Sequence, residues 1–348
     1  MPRRATDGDD RVLVRRVLIV LGLISLFLLA WHLRSLILML FGAVVVATVF
    51  RALADRIAGL TGIREGSAVV ISILAILGTG AALAAIFGSV ILQQFQILRD
   101  ALPAAWQSFE ARIGDIGLGE QLRRLADSIR TQSGLSAFSR FLLSFGSGLA
   151  DILVVLVAGI FLAAQPRFYA SGAIKLVPPA KRPLVTEAMD ESERALRLWL
   201  KGQLIAMVVV GLLTGLGLWA IGMPSAVALG LLAGLLEFIP FAGPILASIP
   251  AILLALAVSP DTAFWVLLLY VGVQQFEGYV LTPLVQQYAV DLPGVILLFS
   301  LLAFGILFGT LGIILAAPLT VVTYVLVKRL YVIEALHTPT PIPGEKAD

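Results

Sequence analysis

Residues Glu237 to Pro244 read Glu-Phe-Ile-Pro-Phe-Ala-Gly-Pro, so one acid and two prolines interrupt an otherwise apolar stretch, with Pro250 close behind. Each proline lacks an amide donor and its ring collides with the preceding turn, so a helix is expected to break here. The carbonyls freed by the break cannot be satisfied by lipid and must line protein or water. A helix restarting at Pro244 would point its amide groups and positive end into the gap, which suits an oxygen-bearing solute. The freed carbonyls, that of Pro240 among them, could instead hold a cation. A charged Glu237 at the centre of a bilayer costs about 2.5 to 3.5 kcal/mol on insertion scales, so it should face a cavity or carry a proton. The alternative is a structural kink with Glu237 hydrogen-bonded at an interface.

Gln274, Gln275 and Glu277, followed by Thr282-Pro283, form a second polar group at the end of an apolar run. Gln274 and Glu277 lie one turn apart on one helix face, which could line a solute path. Hydrogen bonding to a neighbouring helix or to headgroups would use the same residues. Asp151, inside another apolar run, ranks below both groups and could sit at the membrane boundary. Glycines recur at close spacing, as in Gly211, Gly215 and Gly217 or Gly305, Gly309 and Gly312. They permit helices to approach and slide, and tight packing alone would also use them. The chain has no Gly-x-x-x-x-Gly-Lys loop, no nucleophile elbow, and only His32 and His337 as imidazoles. No catalytic residue, metal site or cofactor is expected, ATP hydrolysis by this chain alone is not expected, and the chain does not read as an enzyme.

The elements that must position these residues follow from composition. Hydrophobic residues make up 59% of the 348 and charged residues only 14%, against about 25% charged in a soluble domain. Several charge-free stretches approach or exceed the roughly 20 apolar residues that cross a bilayer core. The net charge of +3 comes from basic residues clustered beside these stretches, a membrane-orientation pattern rather than a nucleic-acid one. The absence of cysteine excludes disulfides and thiolate sites.

Read along the chain, residues 1–16 form a basic cytoplasmic tail and 17–92 hold three spans. Residues 93–140 form an external helical subdomain, with Leu118, Leu122, Leu125 and Ile129 at helical spacing. Residues 141–164 make a fourth span and 165–201 a cytoplasmic amphipathic segment. Residues 202–327 form a carboxyl-terminal transport half with broken helices, and 328–348 a second cytoplasmic tail. The fold expected is an all-α polytopic membrane protein of about 6 to 8 transmembrane helices, both termini cytoplasmic.

Leu231 to Ala251 and Leu301 to Leu319 both open with Leu-Leu-Ala and align again at Gly-x-Ile-Leu-Ala after a one-residue gap. Each follows a further apolar span, so the half could hold two antiparallel copies of a span plus a broken or re-entrant hairpin. Inverted repeats of this kind place a binding site where the broken helices meet near the midplane. Chance similarity between leucine- and glycine-rich segments is the alternative.

The order of features resembles the AI-2E (autoinducer-2 exporter, PerM-like permease) family, whose Glu-x-Ile-Pro-x-x-Gly-Pro pattern is similar to Glu237, Ile239, Pro240, Gly243 and Pro244. The family's later signature is similar to Gln275, Glu277, Pro283, Leu292, Pro293, Phe308, Gly309, Gly312, Ala317 and Pro318. Val290-Asp291 before Leu292 and Thr310-Leu311 between the glycines depart from the pattern. The resemblance implies a permease of the bacterial inner membrane that works as a homo-oligomer surrounded by lipid. It implies a small-molecule or ion substrate, with members that export autoinducer-2 and others that exchange sodium or lithium for protons. A non-transporting membrane scaffold, working through its soluble segments, is a further alternative.

Overall fold

The computed structural model describes residues 6–82, 85, 149–286 and 292–340, and every regular element among them is helical. The expected external subdomain 93–140 lies outside the described residues. α1 (Thr6–His32) turns at Leu33 into α2 (Arg34–Thr61). Gly62, at a left-handed φ of 70°, caps α2 through its N–H on the Ala58 carbonyl at 2.8 Å, and α3 (Glu65–Ala82) follows. Beyond the undescribed segment come α4 (Leu149–Ala164), α5 (Pro166–Lys175) and α6 (Arg182–Ile221). The carboxyl half holds α7 (Ala226–Leu236), α8 (Ala242–Val258), α9 (Pro260–Phe276), the short α10 (Thr282–Gln286) and α11 (Gly294–Leu326).

Among the described residues α2, α3, α6, α9 and α11 reach membrane-crossing length and apolarity, α11 only if its two arms are counted as one element, and α4 with α5 makes a sixth if the bent pair counts as one span. Six is the lower edge of the expected range. α1 is one continuous helix of 27 residues, and its apolar run from Val17 to Trp31, expected as the first span, exposes large apolar side chains such as Leu18, Leu23, Leu26 and Leu28. α7 and α8 are shorter apolar helices.

α6 has 40 residues and is therefore about 60 Å long, twice the hydrocarbon thickness. Its front half is amphipathic and buries Ala188, Ser192, Ala195, Leu196 and Trp199. Its back half, from Gly202, is apolar throughout. The amphipathic segment that ends at Lys201 and the apolar run after it form one continuous helix, because nothing in Leu200-Lys201-Gly202 removes a backbone donor.

Three cores organise the bundle. One joins Ala47, Phe50 and Ala54 of α2 to Ala68 and Val69 of α3 and Ala163 of α4. A second joins the front of α6 to Leu38 and Val45 of α2 and to Leu315, Val321 and Val325 of α11. The third joins the end of α6 to α7, α8 and α9. Between α6 and α7 the backbones nearly touch. A methyl at Gly230 would lie 2.5 Å from the Gly215 Cα, and one at Gly234 2.6 Å from the Met207 carbonyl. These helices are antiparallel and interlocked at glycine, the close-approach device used where lipid supplies no hydrophobic drive for association.

Two segments fold back on themselves. In a straight helix residues seven or eight apart are about 10 to 12 Å apart along the axis. A methyl at Gly243 would nevertheless overlap the Leu236 carbonyl, and one at Gly312 the Phe304 carbonyl. The chain must reverse between each pair. The first reversal uses Phe241 at φ 64° and the second Gly309 at φ 68°. α11 is thus two antiparallel arms, 294–308 and 310–326, hinged at Gly309.

Candidate functional site

The reversal after α7 comes from proline chemistry. As the helix runs out, the amides of Phe238 and Ile239 bond only three residues back, to Leu235 and Leu236 at 3.3 and 2.9 Å. Pro240 donates nothing. Phe241 then holds a γ-turn of positive φ, with φ 64° and ψ −49°, closed by Ala242 N donating to the Pro240 carbonyl at 2.7 Å. This form is rare and strained for a residue with a side chain. Gly243 N donates to the Ile239 carbonyl at 2.8 Å, and α8 begins at Ala242 rather than Pro244. The amides expected to face a solute are consumed inside the turn, and Pro244 has none. The expectation of an amide cradle for an oxygen-bearing group is therefore corrected: the tip presents carbonyls and a carboxyl group.

That carboxyl group belongs to Glu237, whose side chain is 2% exposed. Its Oε2 has no hydrogen-bond partner among the described residues. Glu277 is the charged side chain that acts on it electrostatically. Gln274 Nε2 donates to Glu277 Oε2 at 2.7 Å, so the one-turn spacing seen in the sequence does unite these two side chains. Glu277 opens a π-helical turn, Glu277–Leu281, closed by Thr282 N on the Glu277 carbonyl. Pro283 explains the turn, since a normal helix would need its missing amide to bond the Tyr279 carbonyl. The wider turn is a distortion that recurs at functional sites.

The third contributor, which sequence reasoning missed, is Gln203 of α6. Its Nε2 donates to the Glu237 carbonyl at 2.6 Å, supplying the partner that the broken helix withdraws. The available signal was an isolated amide at the start of the apolar run after Lys201. Trp199, one turn earlier, meets Phe238 edge to face at 5.8 Å. Phe238 packs against the same core as Phe308 and Leu311 from the second reversal, so both tips abut the Trp199 region.

Gln275 is exposed and, among the described residues, makes no hydrogen bond to the pair. Asp151 lies in the first turn of α4, half-buried, where its charge suits the helix N-terminus; nothing joins it to the carboxyl pair. Gly309 and Gly312 belong to the second reversal, as hinge and as close-contact residue. The described arrangement can hold a proton between two carboxyl groups, or a cation in its place.

Comparison with known proteins matches a family described as AI-2E family transporter to residues 18–331. The chain is 30% identical to "Putative transport protein YrrI" of Bacillus subtilis over 151 residues, 43% of each chain. It is 24% identical to "AI-2 transport protein TqsA" of Escherichia coli over 237 residues, 66% of this chain and 67% of that one. With "Putative permease PerM" of Escherichia coli it shares 25% identity over 173 residues, 49% of each. The match thus spans less than half the length of YrrI.

Proposed function

The chain belongs to the AI-2E family of transporters, multi-pass membrane proteins and not enzymes, and from that premise we propose a secondary transporter that exports a small polar solute. The solute class proposed includes autoinducer-2 and related molecules, in keeping with the name of the relative TqsA. The carrying observation is the buried Glu237 carboxyl group against Glu277 at a broken helix, since an intramembrane acid without a cationic partner is costly unless used. In this reading the pair takes up and releases a proton as the site alternates, and Gln203 and Gln274 keep both acids in place.

The two reversals support a reading of the carboxyl half as two antiparallel copies of a span plus a re-entrant hairpin. They share the repeated sequence, a residue of positive φ at each tip, and a glycine pressed on a carbonyl of the opposite arm. Depth is a second argument. The run from Gly202 to Ile221 needs its whole length to cross the hydrocarbon. Gln203, and Glu237 beside it, then lie toward its Lys201 end rather than at the midplane. The ends of α2, α6 and α11 at that side meet through Arg197 with Asp55 at 2.7 Å and Arg329 with Glu187. They carry Arg51, Arg56, Lys201 and Lys328 as well, which supports a cytoplasmic location by charge bias.

A second reading, exchange of sodium or lithium for protons, draws on the same two acids and the carbonyls at Pro240 and Ile239. Solute and proton flux in proteoliposomes tests both. Export of autoinducer-2 that the E237Q variant lacks supports the first, cation-triggered proton release that E237Q lacks supports the second, and full flux in the variant overturns both.

A further inference from the structure

We propose that α5 lies in the plane of the membrane as an anchor for anionic lipid headgroups, independently of which solute the protein carries. α5 leaves α4 at 93° across a break at Gln165, so a helix following a membrane-crossing segment runs along the membrane surface. Pro166 at the first helical position forces the corner, because it cannot continue the hydrogen bonding of α4.

The helix presents three rows at four-residue spacing. Pro166, Ala170 and Ile174 are half-buried, on the row turned toward the rest of the protein. Phe168, Gly172 and Leu176 form an apolar row, with Phe168 68% and Leu176 89% exposed. Tyr169 stands beside it, edge to face with Phe168 at 5.3 Å. Arg167, Ser171 and Lys175 form the third row, all exposed. Neither Arg167 nor Lys175 makes an ion pair with any described residue, unlike Lys181, which lies 3.7 Å from Glu334. An apolar row headed by Phe168 next to a basic row, on a helix held flat at the end of a span, is the pattern of interfacial helices that sink one face to the acyl boundary and leave cations among the headgroups. The segment is held at both ends. α4 fixes its start, and Arg182 fixes the loop after it by donating from Nε to the Val177 carbonyl at 3.1 Å.

Because the chain has no cysteine, single-cysteine variants F168C and S171C can carry an environment-sensitive fluorophore in vesicles of phosphatidylglycerol and phosphatidylcholine. The F168C probe should be quenched by nitroxide groups on the upper acyl chain, and the S171C probe by headgroup nitroxides and soluble iodide. Iodide quenching of both, or shielding of the F168C probe from lipid and iodide alike, would overturn the proposal, the latter in favour of a protein contact. In the intact protein, R167Q with K175Q should weaken phosphatidylglycerol retention in native mass spectrometry on the order of tenfold, without changing the melting temperature in phosphatidylcholine alone. Unchanged retention would remove the electrostatic part of the proposal.

Discussion

Gln203 Nε2 donates to the main-chain carbonyl of Glu237 at 2.6 Å, a bond between the long helix α6 and the point where α7 gives out. A carbonyl stripped of its helical partner and buried from water must find a donor, and leaving it unmatched costs about 1 to 3 kcal/mol. Gln203→Leu should therefore lower stability by about that amount and depress transport. Gln203→Asn, one methylene too short, should behave similarly. Thermal melting and proteoliposome flux measured together check this, and wild-type values for Gln203→Leu would show the bond to be incidental.

Glu237→Gln and Glu277→Gln keep shape and remove the ionisable group. As no cation pairs with Glu237 among the described residues, neither variant strands a charge. Both should fold with melting temperatures near that of the parent while net flux falls roughly 100-fold or more, the scale on which positioned proton transfer contributes. Unimpaired flux in both variants would end the role assigned to the pair.

The glycines sort by what surrounds them. Methyls at Gly243 and Gly312 would overlap the carbonyls of Leu236 and Phe304, whereas one at Gly272 would meet nothing within 4 Å. Backbone cannot yield as a side chain can, so G243A and G312A should each cost about 1 to 3 kcal/mol. G272A should be neutral or slightly stabilising, by up to about 1 kcal/mol. G309A belongs with the damaging group for another reason: at φ 68° and ψ −144° any side chain is strained, by about 1 to 3 kcal/mol. Melting of the four variants in one detergent gives the ranking directly.

On the Lys201 side of the bundle, Arg329 reaches Glu187 and also lies 3.9 Å from Glu191 with its side chain 19% exposed. Removing it in R329Q leaves two acids facing each other and should destabilise by about 2 to 3 kcal/mol, somewhat less than a fully buried pair. The Lys181 to Glu334 pair is exposed on both sides, so K181Q should shift stability by less than about 0.5 kcal/mol. Equal losses from the two variants would contradict this reading of Arg329.

Much of this protein is legible along the chain because lipid imposes local rules. The charge-poor runs marked the spans, and the prolines at 240 and 244 marked the first reversal, since a missing amide acts on the residues next to it. Gln274 and Glu277 were correctly placed on one face by helical spacing alone. The same rules did not show that the amphipathic segment before Lys201 and the apolar run after it form one continuous helix, α6.

What the sequence by itself determined was the solvent, the helical class and the sites where helices must break, all properties of a segment and its immediate neighbours. Tertiary structure alone decided that Glu237 lies near Glu277 and that Gln203 completes the break. Those outcomes depend on how closely α6 and α7 approach through Gly211, Gly215, Gly230 and Gly234. That distance is set by packing between segments remote in sequence, and no local propensity encodes it.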